Sequence, residues 1–276
     1  MGVALVTGAS TGIGEATAIR LSREPGTELV LVARRVGLLR KLAESLPCKA
    51  TFLAVDLTEE DAPERVRAHL EAEHGGRLNL LVNNAGGAWR GTFAESGHAN
   101  VARHMELNFD AVVRLTEALL PLLRASAPSA IVNVASTAGR VSRAGTGSYS
   151  ASKFALIGWT DALHLEEQAN GVHVGMVLPG FVRTEGFPAT ELREKAVTRW
   201  IVSKPETIAD AIYEVGPGGK AERYVPRPYA LAAYSRILAP RLVRRVLGGG
   251  AAGSLTTSTA AESATPPATV GPDAET

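Results

Sequence analysis

The chain has 276 residues, 45% of them hydrophobic, which is enough apolar material for one large α/β core. Its 29 basic and 28 acidic side chains leave a formal net charge of +1, so no global field attracts nucleic acid, which is not an expected partner. A single cysteine, Cys48, excludes an internal disulfide and leaves no cysteine pair for a zinc or redox site. We therefore expect no metal and a reducing, cytoplasmic location.

Targeting and membrane segments are not expected. Residues 1–6 run directly into a glycine-rich loop. No basic region stands ahead of an apolar stretch and no small-residue cleavage site follows, so we predict no signal peptide. No apolar run approaches the ~20 residues that a spanning helix needs. The sequence thus gives no indication of an integral membrane protein.

Short apolar runs rich in β-branched residues alternate with stretches of helical length. The runs cover residues 3–6, 29–32, 51–55, 80–82, 130–134 and 172–178, and a last candidate strand at 223–225 comes before two prolines that close the sheet. Their hydrophobicity is continuous rather than alternating, which indicates strands that are covered on both faces. The sequence predicts a Rossmann-type, doubly wound parallel sheet with helices on both faces, in a single α/β domain over residues 1–228.

A glycine-rich turn follows the first predicted strand. Residues 7–14 read Thr-Gly-Ala-Ser-Thr-Gly-Ile-Gly and lead into a helical run over 15–23. Backbone amides at a helix N-terminus can bind a pyrophosphate, and glycine is needed where a Cβ would block its approach. The triple alone also fits a tight turn, but its place in a βαβ unit favours dinucleotide binding. The expected contacts are Gly8, Ser10, Thr11, Gly12, Ile13 and Gly14.

Two arginines end the second predicted strand, where an acidic residue would normally bind the ribose 2′-hydroxyl of NAD. Arg34 and Arg35 offer guanidinium groups that bind a 2′-phosphate, whereas a carboxylate would repel it. The sequence therefore predicts NADP(H) as the cofactor, with Arg34 the stronger candidate. Arg35 fits a solvated charge at a helix entry equally well.

Tyr149 and Lys153 stand four residues apart in a helical stretch, which places both side chains on one face. A free tyrosine titrates near ~10, too high for acid–base work at neutral pH. An adjacent ammonium stabilises the phenolate and lowers the pKa of the tyrosine. The spacing predicts a proton-transfer pair, although such a pair alone also occurs on ordinary helix surfaces.

Further motifs follow the predicted strands in a fixed order. They are residues 7–14, Asp56-Leu57, residues 83–86 (Asn-Asn-Ala-Gly), Asn108, Ser136, the Tyr149/Lys153 pair and residues 179–184 (Pro-Gly-Phe-Val-Arg-Thr). In this order the sequence resembles the main branch of the short-chain dehydrogenase/reductase family over residues 1–226. Taken singly, Ser136 fits a turn residue, Asn108 a surface amide and Asp56 a helix cap.

The resemblance implies a catalytic role for each of four residues. Tyr149 would exchange the proton at the substrate oxygen, and Lys153 would lower the pKa of Tyr149 and bind the nicotinamide ribose. Ser136 would hold the developing oxyanion. Asn108 would position a water between Lys153 and solvent.

The resemblance also implies further cofactor contacts and homo-oligomers. Asp56 and Leu57 would hold the adenine, and Asn83, Ala85 and Gly86 would line the cofactor channel. Val182 and Thr184 would orient the carboxamide, and Pro179 and Gly180 would also bind the cofactor. A homodimer or homotetramer would form through the helices that carry Asn108 and Tyr149, and Trp159 could lie in that interface.

A lid over the substrate is expected at about residues 181–204. Its large apolar side chains, Phe181, Phe187, Leu192 and Trp200, favour an apolar carbonyl or alcohol substrate, with Trp89 and Phe93 as an opposite wall. Packing within the lid explains each aromatic residue equally well. A helix is expected to begin near Pro205.

Residues 229–276 differ in composition from the predicted α/β domain. Residues 229–247 predict an amphipathic basic helix interrupted by Pro240, which could pack on the domain, contact another subunit or rest on a membrane surface. We favour packing, because Pro240 shortens the helix below a comfortable anchoring length. Residues 248–276 are rich in small residues and proline, and we predict that they are disordered.

The sequence therefore predicts an NADP(H)-dependent oxidoreductase that transfers a hydride between the nicotinamide and a carbonyl/alcohol pair. The alternative is an NADP(H)-sensing regulatory protein without significant turnover. We favour the enzyme, because a sensor would not need both Tyr149 and Lys153.

Overall fold

The computed structural model describes residues 2–183 and 202–248. Most of the predicted lid lies outside these ranges, including Thr184, Phe187, Leu192 and Trp200. The predicted disordered tail lies outside them too, except for Gly248.

Strands and helices alternate along the described chain. The strands are β1 (Gly2–Thr7), β2 (Thr27–Ala33), β3 (Ala50–Ala54), β4 (Leu80–Asn83), β5 (Ser129–Val134), β6 (Val172–Pro179), β7 (Phe181–Val182), β8 (Val202–Ser203) and β9 (Glu222–Val225). The helices are α1 (Gly12–Leu21), α2 (Val36–Ser45), α3 (Ala62–His74), α4 (Phe93–Met105), α5 (Ala111–Ala125), α6 (Gly147–Glu167), α7 (Pro205–Val215), α8 (Tyr229–Leu238) and α9 (Pro240–Gly248). Each predicted strand of the main sheet is found within two residues of its expected bounds.

The main sheet has seven parallel strands in the order β3-β2-β1-β4-β5-β6-β9. Val6 of β1 pairs with Leu31 of β2 on one side and with Val82 of β4 on the other. Strands β1 to β3 therefore extend the sheet in one direction, and strands β4 to β6 extend it in the other, so the strand order reverses between β1 and β4. In open α/β sheets, ligands bind outside the carboxyl ends of the strands at such a switch point.

Both faces of the sheet are buried, which explains the continuous apolar strands. Leu29 and Leu31 of β2 lie in one core cluster with Leu21 of α1 and Ile212 of α7. The alternate residues of the same strand, Val30 and Val32, lie in the opposite cluster with side chains of α3 and α5. Helices therefore cover both faces, and the predicted doubly wound fold is confirmed.

The C-terminal residues form two short helices rather than one. Helix α8 ends at Leu238, and Pro240 is the first residue of α9. Proline lacks an N–H and clashes with the preceding turn, so it can begin a helix but not continue one. Large apolar side chains of both helices are exposed, among them Leu238 at 83% and Leu242 at 61%. Among the described helices, none combines the length and hydrophobicity needed to cross a bilayer.

Two other features of the fold are not predicted by the sequence patterns. Strands β7 and β8 pair in parallel as a separate small sheet, which joins the two ends of the predicted lid. Between α4 and α5, residues Glu106–Asp110 form one π-helical turn rather than part of a regular helix.

Candidate active site

A cavity of about 850 Å³ lies at the carboxyl edge of the main sheet. Loops that follow β1, β2, β3, β4, β5 and β6 contribute to its wall. One end carries Arg34, Arg35 and Asp56, and the wall also includes Ser136, Tyr149 and Lys153. The motifs that the sequence separates by more than one hundred residues therefore share one cavity.

The glycine-rich loop forms the turn between β1 and α1. Gly8 and Gly12 adopt left-handed backbone conformations, with φ of 63° and 62°, which favour glycine. Gly8, Ser10, Thr11, Gly12 and Ile13 line the cavity. The backbone amides at the start of α1 are therefore available to an anionic group.

Gly14 has a different role from the one predicted. It is not among the described residues that line the cavity, and a Cβ on it would lie 2.2 Å from the carbonyl oxygen of Gly8. Its small size lets α1 pack closely against the loop. Gly14 therefore shapes the glycine-rich loop, and a contact with the cofactor stays a prediction.

Asn84, which was not predicted individually, braces the same loop. Its Nδ2 donates to the carbonyl oxygen of Thr7 at 2.8 Å, and the Thr7 hydroxyl accepts from the backbone N–H groups of Asn84 and Ala85, at 2.9 Å each. The loops after β1 and β4 are thus held together. Asn84, Ala85 and Gly86 line the cavity as the motif predicts.

The prediction that Asn83 lines the cofactor channel is corrected. Its side chain lies in the core, where Nδ2 donates to Thr116 Oγ1 at 3.1 Å and to Asn133 Oδ1 at 2.9 Å. Side chains alternate across a strand, so the last residue of β4 points into the helix layer while the following loop residues reach the cavity. The Asn83-Asn84 pattern alone does not show which asparagine is buried in the core and which lies in the loop.

Both predicted arginines line the cavity. Arg34 is 74% exposed at its side chain and donates to Asp56 Oδ2 at 3.4 Å. Arg35 donates to Thr11 Oγ1 at 2.8 Å, so its guanidinium lies over the glycine-rich loop. Arg35 is thus held at the glycine-rich loop, and the preference for Arg34 as the 2′-phosphate ligand stays a prediction.

Asp56 and Leu57 stand in the cavity wall beside Arg34. Asp56 Oδ1 accepts from the backbone N–H of Thr58 at 3.0 Å and from its hydroxyl at 2.8 Å. Burial acts to raise the pKa of Asp56, but these hydrogen bonds and the charge of Arg34 hold it below its usual value. The carboxylate is therefore ionised and fixed in place.

Asn108 is fully buried in the π-helical turn. Its Oδ1 accepts from the N–H of Gly87 at 2.8 Å, and its Nδ2 donates to the carbonyl of Gly87 at 2.9 Å and to Ser152 Oγ at 3.1 Å. A Cβ on Gly86 would lie 2.9 Å from Asn108 Oδ1 and 3.7 Å from Lys153 Nζ. Asn108 and Lys153 therefore both lie next to Gly86, and the hydrogen bonds of Asn108 hold the loop after β4 in place.

Helix α6 presents Tyr149 and Lys153 on the cavity wall, one turn apart. Lys153 is 5% exposed, and its Nζ donates to the carbonyl of Val134, the last residue of β5, at 2.9 Å. Ser136 lies just after the same strand and accepts from the N–H of Ala138 at 3.1 Å. The sheet edge and the first turns of α6 thus assemble the three side chains.

The pKa of Tyr149 differs from expectation. Burial raises its pKa above the ordinary value of a tyrosine, and a hydrogen bond with Ser136 only opposes that rise. Burial also lowers the pKa of Lys153 to about 8. The expected lowering of the Tyr149 pKa by the lysine ammonium is therefore not found, because desolvation of both groups dominates.

A buried histidine was missed at this site. His104 Nδ1 bonds the carbonyl of Asn100 at 2.7 Å, and its Nε2 accepts from the N–H of Trp89 at 3.0 Å. Its ring makes edge contacts with Trp89 at 4.9 Å and with Tyr149 at 6.0 Å. Burial lowers the pKa of His104, so the ring is neutral and positions the loop beside the tyrosine.

The residues after β6 complete the cavity. Pro179, Gly180, Phe181 and Val182 all line it, whereas the predicted Thr184 lies outside the described residues. A Cβ on Gly180 would lie 2.2 Å from the ring of Tyr229, so the first residue of α8 packs directly on this turn. Trp89 lines the same cavity, while Phe93 is 74% exposed and lines a second, smaller one.

The chain is similar to curated reductases in several bacteria. It is 32% identical to the ketoacyl reductase HetN of Nostoc sp. over 209 residues, which cover 75% of this chain and 72% of that protein. It is 32% identical to the 3-oxoacyl-[acyl-carrier-protein] reductase FabG of Vibrio cholerae over 196 residues, 71% of this chain and 80% of that protein. It is 35% identical to the 3-ketodihydrosphingosine reductase of Bacteroides thetaiotaomicron over 185 residues, 67% of this chain and 65% of that protein.

The sequence profile of the short chain dehydrogenases matches residues 2–195. That range covers six of the main-sheet strands and every described motif residue of the cavity. Together with the parallel sheet, this match assigns the chemistry to oxidoreduction with a nicotinamide cofactor. The chain belongs to the short-chain dehydrogenase family of oxidoreductases.

Proposed function

We propose that this protein is an NADP(H)-dependent oxidoreductase that interconverts a carbonyl group and a secondary alcohol. The observation that carries the proposal is the convergence of Ser136, Tyr149 and Lys153 on one cavity that also contains the glycine-rich loop. A regulatory binding protein would need the loop but not the three side chains.

The cavity fits a dinucleotide. Its volume of about 850 Å³ lies within the range of cofactor sites, and it extends between the arginine end and Tyr149. The glycine-rich loop leaves open backbone at the start of α1, where a pyrophosphate is favoured. When bound, the cofactor supplies or accepts the hydride, and the protein supplies position and charge.

Arg34 and Arg35 support NADP(H) over NAD(H). Both line the end of the cavity beside Asp56 and Leu57, the predicted adenine contacts. Arg35 already lies over the glycine-rich loop through Thr11. Two guanidinium groups at this position favour an additional phosphate on the ribose.

The chain's own residues divide the acid–base work. The hydroxyl of Tyr149 is the proton donor to the substrate oxygen in reduction and the acceptor in oxidation. Ser136 donates a hydrogen bond to the same oxygen as negative charge develops there. A Tyr149 with a raised pKa is fully protonated at neutral pH, which suits it to donate in the reductive direction.

In this proposal Lys153 and Asn108 support the proton transfer by Tyr149. With a pKa near 8, Lys153 can pass a proton at physiological pH. Asn108 fixes the loop around Gly86 and Gly87, next to the lysine amine. We propose that Asn108 holds a water that links the amine to solvent.

A homodimer or homotetramer is part of the proposal. Helix α6 exposes Phe154 at 44% and Leu165 at 72%, and such apolar side chains on one long helix fit a subunit contact. Trp159 packs edge-on against Phe109 at 6.3 Å, so only part of it is available to a partner. Light scattering of the purified protein tests this, and a monomer at micromolar concentration would contradict it.

The proposed location is the cytoplasm. Cys48 is a free, half-buried thiol, which agrees with a reducing compartment. Cell fractionation with an antibody against the protein tests the proposal.

The enzymatic proposal is tested by the absorbance of the nicotinamide. Purified protein is given NADPH or NADH with a panel of ketones, aldehydes and quinones, and Tyr149→Phe is the control. Turnover with NADPH that is lost in Tyr149→Phe supports the proposal. Tight NADPH binding without turnover of any compound would instead support a sensor.

A further inference from the structure

We propose that the substrate carries an oxyanion group, a carboxylate or a phosphate, and that Arg143 is the residue that selects it. The inference rests on the proposed function, which places the substrate carbonyl at Tyr149. It changes the expected substrate from a purely apolar compound to one with an apolar body and an anionic group.

Arg143 stands in the loop between β5 and α6, six residues before Tyr149. It lines the main cavity together with Tyr149 and Phe181. Its guanidinium lies over the ring of Phe181, 4.7 Å from the centroid, so the side chain is held against the cavity wall. It also lines a second cavity of about 350 Å³ with Phe93 and Val101. Arg143 therefore stands where the two cavities meet.

Arg143 carries its positive charge in a partly buried position. Among the described residues, no carboxylate lies within ion-pair distance of its guanidinium. Burial lowers the pKa of Arg143, which shows that the cation is partly removed from water. A desolvated charge without a counter-ion is unfavourable, and binding of an anion removes that penalty.

A second cation reinforces the first. Arg90 follows Trp89 in the loop after β4 and also lines the main cavity. The N–H of Gly91 donates to the carbonyl of Gly145 at 3.1 Å, which ties the two arginine loops together. The charge of Arg90 acts against the protonated form of Arg143. Two like charges that line one cavity and act on each other favour the binding of an anion there.

Among the described residues that line the substrate end, Lys153 is the one other charged side chain. In the described wall of the cavity, Asp56 is the single carboxylate, and it is bound to Thr58 and Arg34 at the other end. Trp89, Phe181 and Leu247 line the same cavity and supply apolar surface. An amphiphilic substrate matches this distribution, with its oxyanion at Arg143 and its chain on the apolar wall.

The experiment compares matched pairs of substrates in the full-length protein with NADPH. One pair is a medium-chain keto acid and its methyl ester, and the other is a medium-chain hydroxyketone phosphate and the free hydroxyketone. The variants are Arg143→Gln, Arg143→Lys and the control Arg67→Gln, which removes the same charge from an exposed position on α3. Calorimetric binding of the matching hydroxy acid and hydroxy ester, with and without NADPH, gives a readout that is independent of turnover.

We expect the anionic member of at least one pair to have a kcat/KM higher by about tenfold or more, as for a charge-assisted hydrogen bond. Arg143→Gln should remove this preference by lowering kcat/KM for the anionic member much more than for the neutral member. Arg143→Lys should retain part of the preference, and Arg67→Gln should have no effect. The pair that shows the preference distinguishes a carboxylate from a phosphate.

Two results would overturn the inference. One is the absence of any preference for the anionic member, and the other is an equal loss for both members in Arg143→Gln, which would mean that Arg143 only supports Phe181. If no compound is reduced, the proposed function fails. Calorimetry then decides the inference separately, by whether binding favours the hydroxy acid and depends on Arg143.

Discussion

Asn108 and Gly87 bond each other twice, with the Gly87 N–H donating to Oδ1 at 2.8 Å and the Asn108 Nδ2 donating to the Gly87 carbonyl at 2.9 Å. The amide thus satisfies both backbone groups of one residue. It does so from inside a π-helical turn, a departure from the α-helix that is frequent at functional sites. The contact connects the helix layer to the loop that follows β4.

Asn108→Asp tests this pair with almost no change in shape. The carboxylate can still accept from the Gly87 N–H but cannot donate to the carbonyl or to Ser152, which leaves a buried repulsion. We expect the free energy of unfolding to fall by about 1–3 kcal/mol and kcat to fall more than the affinity for NADPH. Chemical denaturation measures the free energy of unfolding, steady-state turnover measures kcat, and fluorescence titration measures the affinity for NADPH. Wild-type kcat with reduced stability would show that Asn108 has only a structural role.

Lys153→Met is expected to stabilise the fold while it abolishes turnover. The pKa of Lys153 in the folded protein, about 8, lies below the ~10.4 of a free lysine, so the folded state carries the cost of a buried charge below pH 8. Methionine removes that cost but loses the bond to the Val134 carbonyl. At pH 7 we expect a net gain of about 1–2 kcal/mol.

The stability difference between Lys153→Met and the wild type should depend on pH. Between pH 8 and 10 the unfolded lysine still binds its proton while the folded one releases it, so wild-type stability rises with pH. The advantage of the variant should therefore shrink over this range. Urea titrations at pH 7 and pH 9.5 measure it, and a variant less stable than wild type at pH 7 would contradict the prediction.

Arg34→Gln and Arg35→Gln test the choice of cofactor. Each variant should raise the KM for NADPH by about tenfold, because a charged contact to a phosphate is lost, and should change the KM for NADH much less. Arg35→Gln is expected to have the larger effect, since Arg35 is held at the glycine-rich loop while Arg34 is exposed. Equal effects on both cofactors would place the arginines at the pyrophosphate or outside the site.

Gly14→Ala and Gly37→Ala form a matched pair. The new Cβ at position 14 would lie 2.2 Å from the Gly8 carbonyl oxygen, whereas position 37 in α2 has open space around it. We expect Gly14→Ala to abolish tight binding of NADPH and to lower the melting temperature. Gly37→Ala should bind NADPH normally and gain about 0.5–1 kcal/mol. Normal NADPH binding by Gly14→Ala would show that α1 can shift away from the loop.

Much of the fold could be read from local patterns. The continuous apolar runs of β1 and β2 predict strands buried on both faces, and the structure confirms this with Leu31 and Val32 in opposite cores. Helix α7 begins at Pro205 as predicted, because proline is favoured in the first turn. The π turn at Asn108 and the small β7–β8 sheet depend on distant packing, which local patterns do not record.

The sequence by itself determined the fold class and the family and predicted the set of candidate site residues, because each depends on residue types at short, regular spacings. Only the tertiary structure decided where each of those residues lies and how burial changes its pKa. It placed Asn83 in the core and Asn84 on the phosphate loop, and it showed that burial shifts the pKa of Tyr149 upward. It also brought Arg143 to the cavity that contains Tyr149. Side-chain direction and desolvation depend on what packs around a residue, and the packing partners come from remote parts of the chain.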